Sequence, residues 1–383
     1  MPGPQTAKGR SAADGRSTAE ERSTADGRST AEERSTGAGG EIVAVDDGYA
    51  QIAQDILSGA CEGPNGVWRM PWHALEGGLP ENAFSGRRFR TSNLLTLSVA
   101  CKRRGFKANL WAPAEQWERK RGRIRAGETG TVILVPVFDD AAPAKRWQAG
   151  SANAPKSGPL GGDPEGGELR PLIGFTREPW FNVAQIEGLD IRPPAPPLPS
   201  QAARALLQLL ADWRSTRTGL RGPALVHGGH QAFWNPACDR ITSPAEAAYG
   251  DYDGLSGLEY YAAVLAHEHV HATGSRNRLK RSSLAGYSRR PERAKEEMVA
   301  ELGAAFLCGR FGLGTVLRPD HGTYVRGWME NLASRDRRRD FFWAAGEAQK
   351  AADFIVAQAS SIQASTSLAS TGRPGAGGGG PRP

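Results

Sequence analysis

Ala266-His267-Glu268-His269-Val270-His271 is the stretch on which the reading of this chain turns. His267 and His271 stand four residues apart, so on an α-helix they project from one face and offer two imidazole nitrogens to a single metal ion. Glu268 lies about 100° round the helix from His267, near enough to take a proton from a metal-bound water without being a ligand. His269 falls on the far side with Leu258, Ala262 and Leu265 and reads as a bystander. The helix is expected from Leu258 to His271, a run without Gly or Pro that meets Thr273-Gly274 as a stop.

A core helix that happened to carry three histidines would need no partner, whereas a zinc site needs a third ligand, and a second helix offers one. Pro291 to Cys308 opens with a proline suited to a first turn and ends at Gly309. Glu297 and Glu301 share one face of it, while Met298, Leu302 and Ala305 mark the buried side. In this reading Glu297 completes three protein ligands for Zn2+ and Glu301 orients an imidazole from behind. Glu296 competes for the ligand role. The contrary reading is a solvated acidic face paired with Arg293 and Lys295.

The 383 residues exceed one ordinary domain, and 48 Gly with 26 Pro imply long loops or tails. No apolar run is long enough to span a bilayer and no charged-then-apolar leader is seen, so a cytoplasmic protein without membrane contact is expected. Cys61, Cys101, Cys238 and Cys308 form no CxxC pair, which excludes a zinc knuckle and fits reduced, mostly buried thiols.

Net charge is +7, and it is concentrated. Between Arg87 and Arg125 lie Arg87, Arg88, Arg90, Lys102, Arg103, Arg104, Lys107, Arg119, Lys120, Arg121, Arg123 and Arg125, twelve cations against Glu115 and Glu118. Interleaved with Phe89, Phe106, Trp111 and Trp117, they combine phosphate contacts with ring faces for stacked bases, the usual means of binding single strands without sequence preference. A solvated basic surface over core aromatics is the plainer alternative. A second basic run, Arg276, Arg278, Lys280, Arg281, Arg289, Arg290, Arg293 and Lys295 against Glu292, is expected to rim the metal cleft.

The expected organisation is α+β in two domains. Residues 1–44, with ADGRSTAEERST repeated from Ala13 and Ala25, form a disordered tail. Residues 45–190 form a nucleic-acid-binding domain with a flexible Pro/Gly insertion at 139–170. Residues 191–200 are a stiff Pro-rich linker, 201–360 the hydrolase domain, and 361–383 a disordered tail. Strands are expected at Thr131–Phe138 and Ala224–His227, helices at Asn93–Cys101, Ala202–Trp213, Val325–Leu332 and Arg339–Ala359, and a helix or turn at Trp111–Arg121. His227 and His230, flanked by glycines outside any helix, are weak candidates for further ligands.

The order Asn82-Ala-Phe-Ser-Gly-Arg-Arg-Phe-Arg-Thr-Ser-Asn93, Trp111 with Gln116, Gly127-Glu128-Thr-Gly130 and Phe181-Asn-Val-Ala-Gln-Ile-Glu-Gly-Leu189 resembles the N-terminal single-stranded-DNA-binding domain of ArdC-type antirestriction proteins. His227-Gly-Gly, Ala232-Phe-Trp, Asp239, Pro244, Tyr260-Tyr261, the HExxH run, Arg278-Leu279 and Glu296 to Phe306 resemble the zincin-like metallopeptidase domain that follows it there. The resemblance covers roughly Tyr49 to Ala359 apart from the insertion. It departs from the commonest pattern in Phe233-Trp234, where tyrosines are frequent, and in the repetitive tail.

The resemblance implies zinc at His267 and His271 with an acidic third ligand from the 296–301 region, and single-stranded DNA as partner. It also implies a mobile-element protein that shields incoming DNA from restriction. Together with the residues, it points to a zinc metallopeptidase with Glu268 as general base and a DNA-associated protein as possible substrate. Tyr260, Tyr261 and Tyr287 are the available oxyanion donors. The rival reading is a non-catalytic DNA-coating protein with a structural zinc site. A nuclease is disfavoured because no cluster of aspartates offers a two-metal site.

Overall fold

A computed structural model of the chain describes residues 43–44, 47–48, 50, 52–54, 61–62, 68–69, 78–138, 145–146, 168–169, 172–191, 197–216, 220–315 and 335–371. The repetitive tail, residues 192–196 of the linker, most of the insertion and the Val325–Leu332 helix lie outside these residues.

The main described elements of the N-terminal domain are β1 (Glu81–Asn82), α1 (Thr91–Arg103), β2 (Leu110–Pro113), α2 (Ala114–Arg119), β3 (Thr131–Phe138) and β4 (Leu172–Asn182). The strands form one sheet in the order β1-β2-β4-β3. Its longest pairing is antiparallel β3 on β4, in register from Thr131 opposite Trp180 to Val137 opposite Gly174, after which a bulge shifts Phe138 opposite Leu172. The β-branched run that predicts β3 is therefore met by a partner that lies beyond the insertion in sequence. Trp111 to Arg121, expected as helix or turn, splits at Pro113. Before it the chain pairs with Phe181 and Asn182 as a strand, and after it a six-residue helix begins. Proline's fixed φ and missing N–H suit a helix entry and end the ladder.

The C-terminal domain adds α3 (Pro199–Ser215), β5 (Ala224–His227), β6 (Phe233–Asn235), β7 (Arg240–Ser243), α4 (Gly257–Thr273), α5 (Ser282–Ala285), α6 (Arg290–Arg310) and α7 (Arg335–Thr371). The three strands are ordered β5-β7-β6, with β5 parallel and β6 antiparallel to β7, so β6 is an edge. Ser256 and Glu259 close a capping box at the start of α4, satisfying two backbone donors reciprocally. From Tyr261 to Thr273 every residue of α4 is buried. A helix apolar or enclosed on all sides is a core helix, and α3, α6, α7 and the small sheet wrap it.

No described helix is long and apolar enough to cross a membrane. The backbone of α7 is helical to Thr371, past Ser360 where the composition changes, because Ala, Ser and Gln continue without Gly or Pro until Gly372.

The two domains do not keep separate cores. Ile52, Leu94, Leu95, Leu134 and Phe175 from the N-terminal side belong to one buried cluster with Leu206, Trp213, Leu265, Val270, Met298, Phe306, Phe341 and Phe342. The start of α1 is tied to α7 by an Arg90–Asp353 ion pair and by the Thr91 N–H donating to Gln349 Oε1 at 3.3 Å. Two smaller clusters remain local, one of Leu97, Cys101, Trp111 and Ile133 and one of Ala112, Trp117, Phe181 and Ile186.

Candidate functional site

α4 and α6 pack closely enough that a Cβ on Gly303 would stand 2.8 and 2.9 Å from the Val270 methyl carbons. That approach lets carboxylates on α6 reach imidazoles on α4. His267 Nε2 and His271 Nε2 are 3.1 Å apart, and Glu297 Oε2 is 3.5 Å from the first and 3.4 Å from the second. Ligands held about 2.0–2.2 Å from a tetrahedral ion stand about 3.3–3.6 Å from one another. These three residues are the group of buried His and acidic side chains, among those described, that converges as a metal-binding set. Two imidazoles and a carboxylate of this spacing fit a divalent cation.

Each imidazole is backed by a different carboxylate. His267 Nδ1 faces Glu301 Oε1 at 3.4 Å, and His271 Nδ1 faces Glu296 Oε1 at 3.1 Å. Glu296, the alternative ligand in the sequence reading, is thus turned to the rear of His271 and away from the convergence point. Its carboxylate accepts from Arg281 Nε at 3.0 Å, Arg281 Nη2 at 2.7 Å and Ser283 Oγ at 2.5 Å. Both side chains of the Arg281–Glu296 pair are fully buried. Burial opposes ionisation of Glu296, but Arg281 and His271 outweigh it and hold the carboxyl down to about 2. Burial likewise opposes charge on His271, and Glu297 beside it, with hydrogen bonds to Glu296 and Glu297, raises it to about 10. The site therefore attracts positive charge, whether a proton or a cation.

Arg281 and Ser283 are absent from the sequence-derived site, and the sequence sets Arg281 on the cationic rim instead. The chain turns back after α4 and drives the guanidinium inward past Gly274, where a Cβ would lie 2.6 Å from Arg281 Nη2. Its other donors reach Thr273 Oγ1 and Val270 O, both at 2.7 Å. Arg278 leaves the rim too, forking onto Asp239 with its guanidinium over the Trp213 ring. The rim thus loses two of its eight cations because carboxylate and carbonyl acceptors claim them; Arg276, Lys280, Arg289 and Arg290 stay exposed.

Glu268 is 3% exposed and accepts the backbone N–H of Trp234 at 2.8 Å, which fixes its carboxylate against the edge strand β6. His269 is fully buried, its Nδ1 on Leu265 O at 2.6 Å and its Nε2 on Arg214 Nη1 at 3.0 Å, away from the other two histidines. Of the three tyrosines, Tyr287 donates to Glu297 Oε1 at 2.6 Å, Tyr261 pairs with His227 Nε2 at 2.9 Å, and Tyr260 stacks on Tyr252. His227 and His230 do not join the metal-binding set.

In the N-terminal domain Trp111 is a correction. It is fully buried with its Nε1 on Asn109 Oδ1, and Trp117 is fully buried with its Nε1 on the carbonyls of Ala112 and Phe181. A ring sealed in the core offers no face to a base, so neither is available for stacking. Phe106 packs against Trp111 beneath the Arg104 guanidinium, and Phe89 against Trp180. Asn82 with Gln116, and Asn182 with Gln185, are hydrogen-bonded scaffolding.

Arg87, Lys102, Arg103, Lys107, Arg121 and Arg125 are exposed, whereas Arg88 faces Glu81, Arg90 pairs with Asp353, Arg104 with Glu128 and Arg123 with Glu187.

Comparison with known proteins follows the same division. Residues 219–347 match the family model of the zincin-like metallopeptidase, and residues 46–158 that of the N-terminal domain of anti-restriction factor ArdC. The chain is 31% identical over 319 residues to the uncharacterized protein y4eC of Sinorhizobium fredii (strain NBRC 101917 / NGR234), covering 83% of this chain and 94% of that one. It is 26% identical over 314 residues to DNA primase TraC of Escherichia coli, covering 81% of this chain but spanning only 20% of TraC. Crystal structures of antirestriction ArdC protein from the R388 plasmid, metal-free and Mn(II)-bound, superpose with a TM-score of 0.57 at 25% identity. They cover 82% of this chain and 98% and 99% of theirs.

Proposed function

The chain belongs to the ArdC-type antirestriction family, and from that premise we propose that it is a single-stranded-DNA-binding antirestriction protein of a mobile element whose second domain is a zinc-dependent metallopeptidase. The observation that carries this reading is the convergence of His267, His271 and Glu297 beside a carboxylate, Glu268, pinned to an edge strand.

A Zn2+ held by those three residues would supply an acidified water and a polarised peptide carbonyl. The chain's own groups supply the rest. Glu268 takes the proton of the attacking water and returns it to the leaving amine, and the Trp234 N–H keeps its carboxylate from swinging away. Glu296 and Glu301 hold the two imidazoles in one tautomer, each accepting from a Nδ1–H so that Nε2 is left to coordinate. Tyr287 donates its hydroxyl proton to Glu297 Oε1 and so orients that carboxylate as a ligand. The outer edge of β6, with Phe233 49% exposed, offers backbone groups and an apolar contact to an extended peptide. The substrate in this reading is a protein associated with the bound DNA.

One observation favours the non-catalytic alternative. His267, Glu268 and His271 are 2%, 3% and 7% exposed, an enclosure that suits a structural ion, whereas a catalytic one keeps a position open to water. Glu268→Gln separates the two, because it leaves the three ligands in place. Plasmid entry into a restricting host is compared for wild type and variant. Loss of protection in the variant supports the peptidase; protection that survives Glu268→Gln and disappears only with substitutions between Arg87 and Arg125 supports the DNA-coating reading.

A further inference from the structure

A cavity of about 590 Å³ opens between α1 and the strand β3, lined by Thr96, Arg103, Arg104, Thr129, Val132 and Arg177 among others, with no carboxylate in its wall. Thr96, Val99, Ala100 and Arg103 follow at i, i+3, i+4 and i+7, so they form one face of α1 and one wall of the cavity. The opposite wall is the chain from Thr129 into β3, where Val132 is 43% exposed. Two features stand out chemically. Thr96 is 4% exposed and its Oγ1, itself buried beneath the cavity wall, has no hydrogen-bond partner, a costly state that a turn about χ1 towards a ligand would relieve. Arg177, on β4, is exposed and pairs with no carboxylate among the described residues.

We propose that this cavity is where the N-terminal domain holds a single DNA strand, Arg177 and Arg103 gripping phosphate, Thr96 hydrogen-bonding the strand, and Val132 with Val99 contacting a base or sugar. The proposal rests on the reading of that domain as a single-strand binder and locates the site within it. Its volume falls in the range of small-ligand sites, about 300–1,000 Å³, which suits a nucleotide or two of a single strand and excludes a duplex from the interior. Part of the charge of Arg103 and Arg104 offsets the C-terminal end of α1, and Arg104 is further committed to Thr129 O and Glu128. Arg177 has neither duty. It lies outside the basic segment that the sequence singles out, and only the pairing of β4 with β3 brings it there.

The test is fluorescence anisotropy of a labelled oligothymidylate with the full chain, across a salt series, for wild type, Arg177→Glu, Thr96→Val, Val132→Trp and, as a control on β7 outside both the cavity and the Arg87–Arg125 segment, the exposed Arg240→Glu. Arg177→Glu is expected to weaken binding about tenfold or more and to lower the salt slope by about 0.7 for each phosphate it ceases to neutralise. Thr96→Val is expected to weaken binding while leaving thermal stability equal or higher, a pairing of effects that a purely structural threonine does not give. Val132→Trp, at an exposed wall, should weaken binding by filling the space. If wild type binds and the three cavity variants bind as it does, the assignment of the cavity is overturned although the domain still binds DNA. If wild type fails to bind the oligonucleotide at low salt, the single-strand reading itself falls and the cavity assignment with it.

Discussion

Replacing Arg281 by Met tests whether the centre is built from behind as the structure indicates. The guanidinium makes five hydrogen bonds in a fully buried setting: two to Glu296, and one each to Thr273 Oγ1, Val270 O and His271 O. Met fills similar volume but leaves Glu296 enclosed with only Ser283 and His271 as partners. Breaking a buried ion pair by removing one partner costs about 3–5 kcal/mol, because the remaining charge is stranded. Chemical unfolding followed by tryptophan fluorescence, in the presence of chelator, should show a loss of that size.

Zinc affinity, measured by competition with a chromophoric chelator, should fall about 10- to 100-fold, since Glu296 no longer holds His271 in place. The double variant Arg281→Met with Glu296→Leu removes both charges, so it should regain most of the stability but none of the metal affinity. A single variant within about 1 kcal/mol of wild type, with unchanged zinc affinity, would show that the pair neither supports the fold nor positions the ligand.

Three further outcomes follow from the packing. Gly303→Ala puts a Cβ against Val270, so it should cost about 1–3 kcal/mol in unfolding measurements and weaken zinc binding by spreading α4 from α6. His269→Ala should destabilise by about 2–3 kcal/mol while metal analysis still finds zinc bound, because this histidine serves Leu265 and Arg214. Burial raises Cys101 to about 11 and raises Cys308 as well, so iodoacetamide mapping of native protein near pH 8 should label the exposed Cys238 and spare both. Both thiols stay protonated in the folded chain after the unfolded chain has begun to lose its protons. The contribution of Cys101 to stability is therefore complete below about pH 9 and is lost as pH rises towards 11, by about 2–3 kcal/mol, visible in unfolding curves.

The HExxH helix and its acidic partner were legible because both signals are local: a four-residue spacing fixes a helix face wherever the helix is placed. The run from Thr131 to Phe138 was legible for the same reason, since β-branched residues favour a pleated strand in any context. What the spacing could not convey was which side of a residue faces the interior after the chain doubles back. Arg281 reads as one more cation in a basic run, and only the turn between α4 and α5 brings it onto Glu296, 15 positions further on. Trp111 reads as a stacking ring because its neighbours are cationic, yet its own strand carries it into the sheet's buried face against Leu97 and Ile133. The shared core has the same origin: Leu94 and Leu95 give a helix with an apolar face, and no local pattern states that the face will be covered by the other domain.

Joint binding of one divalent cation by His267, His271 and Glu297 is tested most directly by calorimetric titration of Zn2+ into chelator-treated wild type and Glu297→Ala. One tight equivalent per chain in wild type, reduced at least about tenfold in affinity in the variant, is the predicted result. Glu297→Ala binding one equivalent as tightly as wild type would contradict it, since the two histidines would then be served by a ligand other than the carboxylate the structure places beside them.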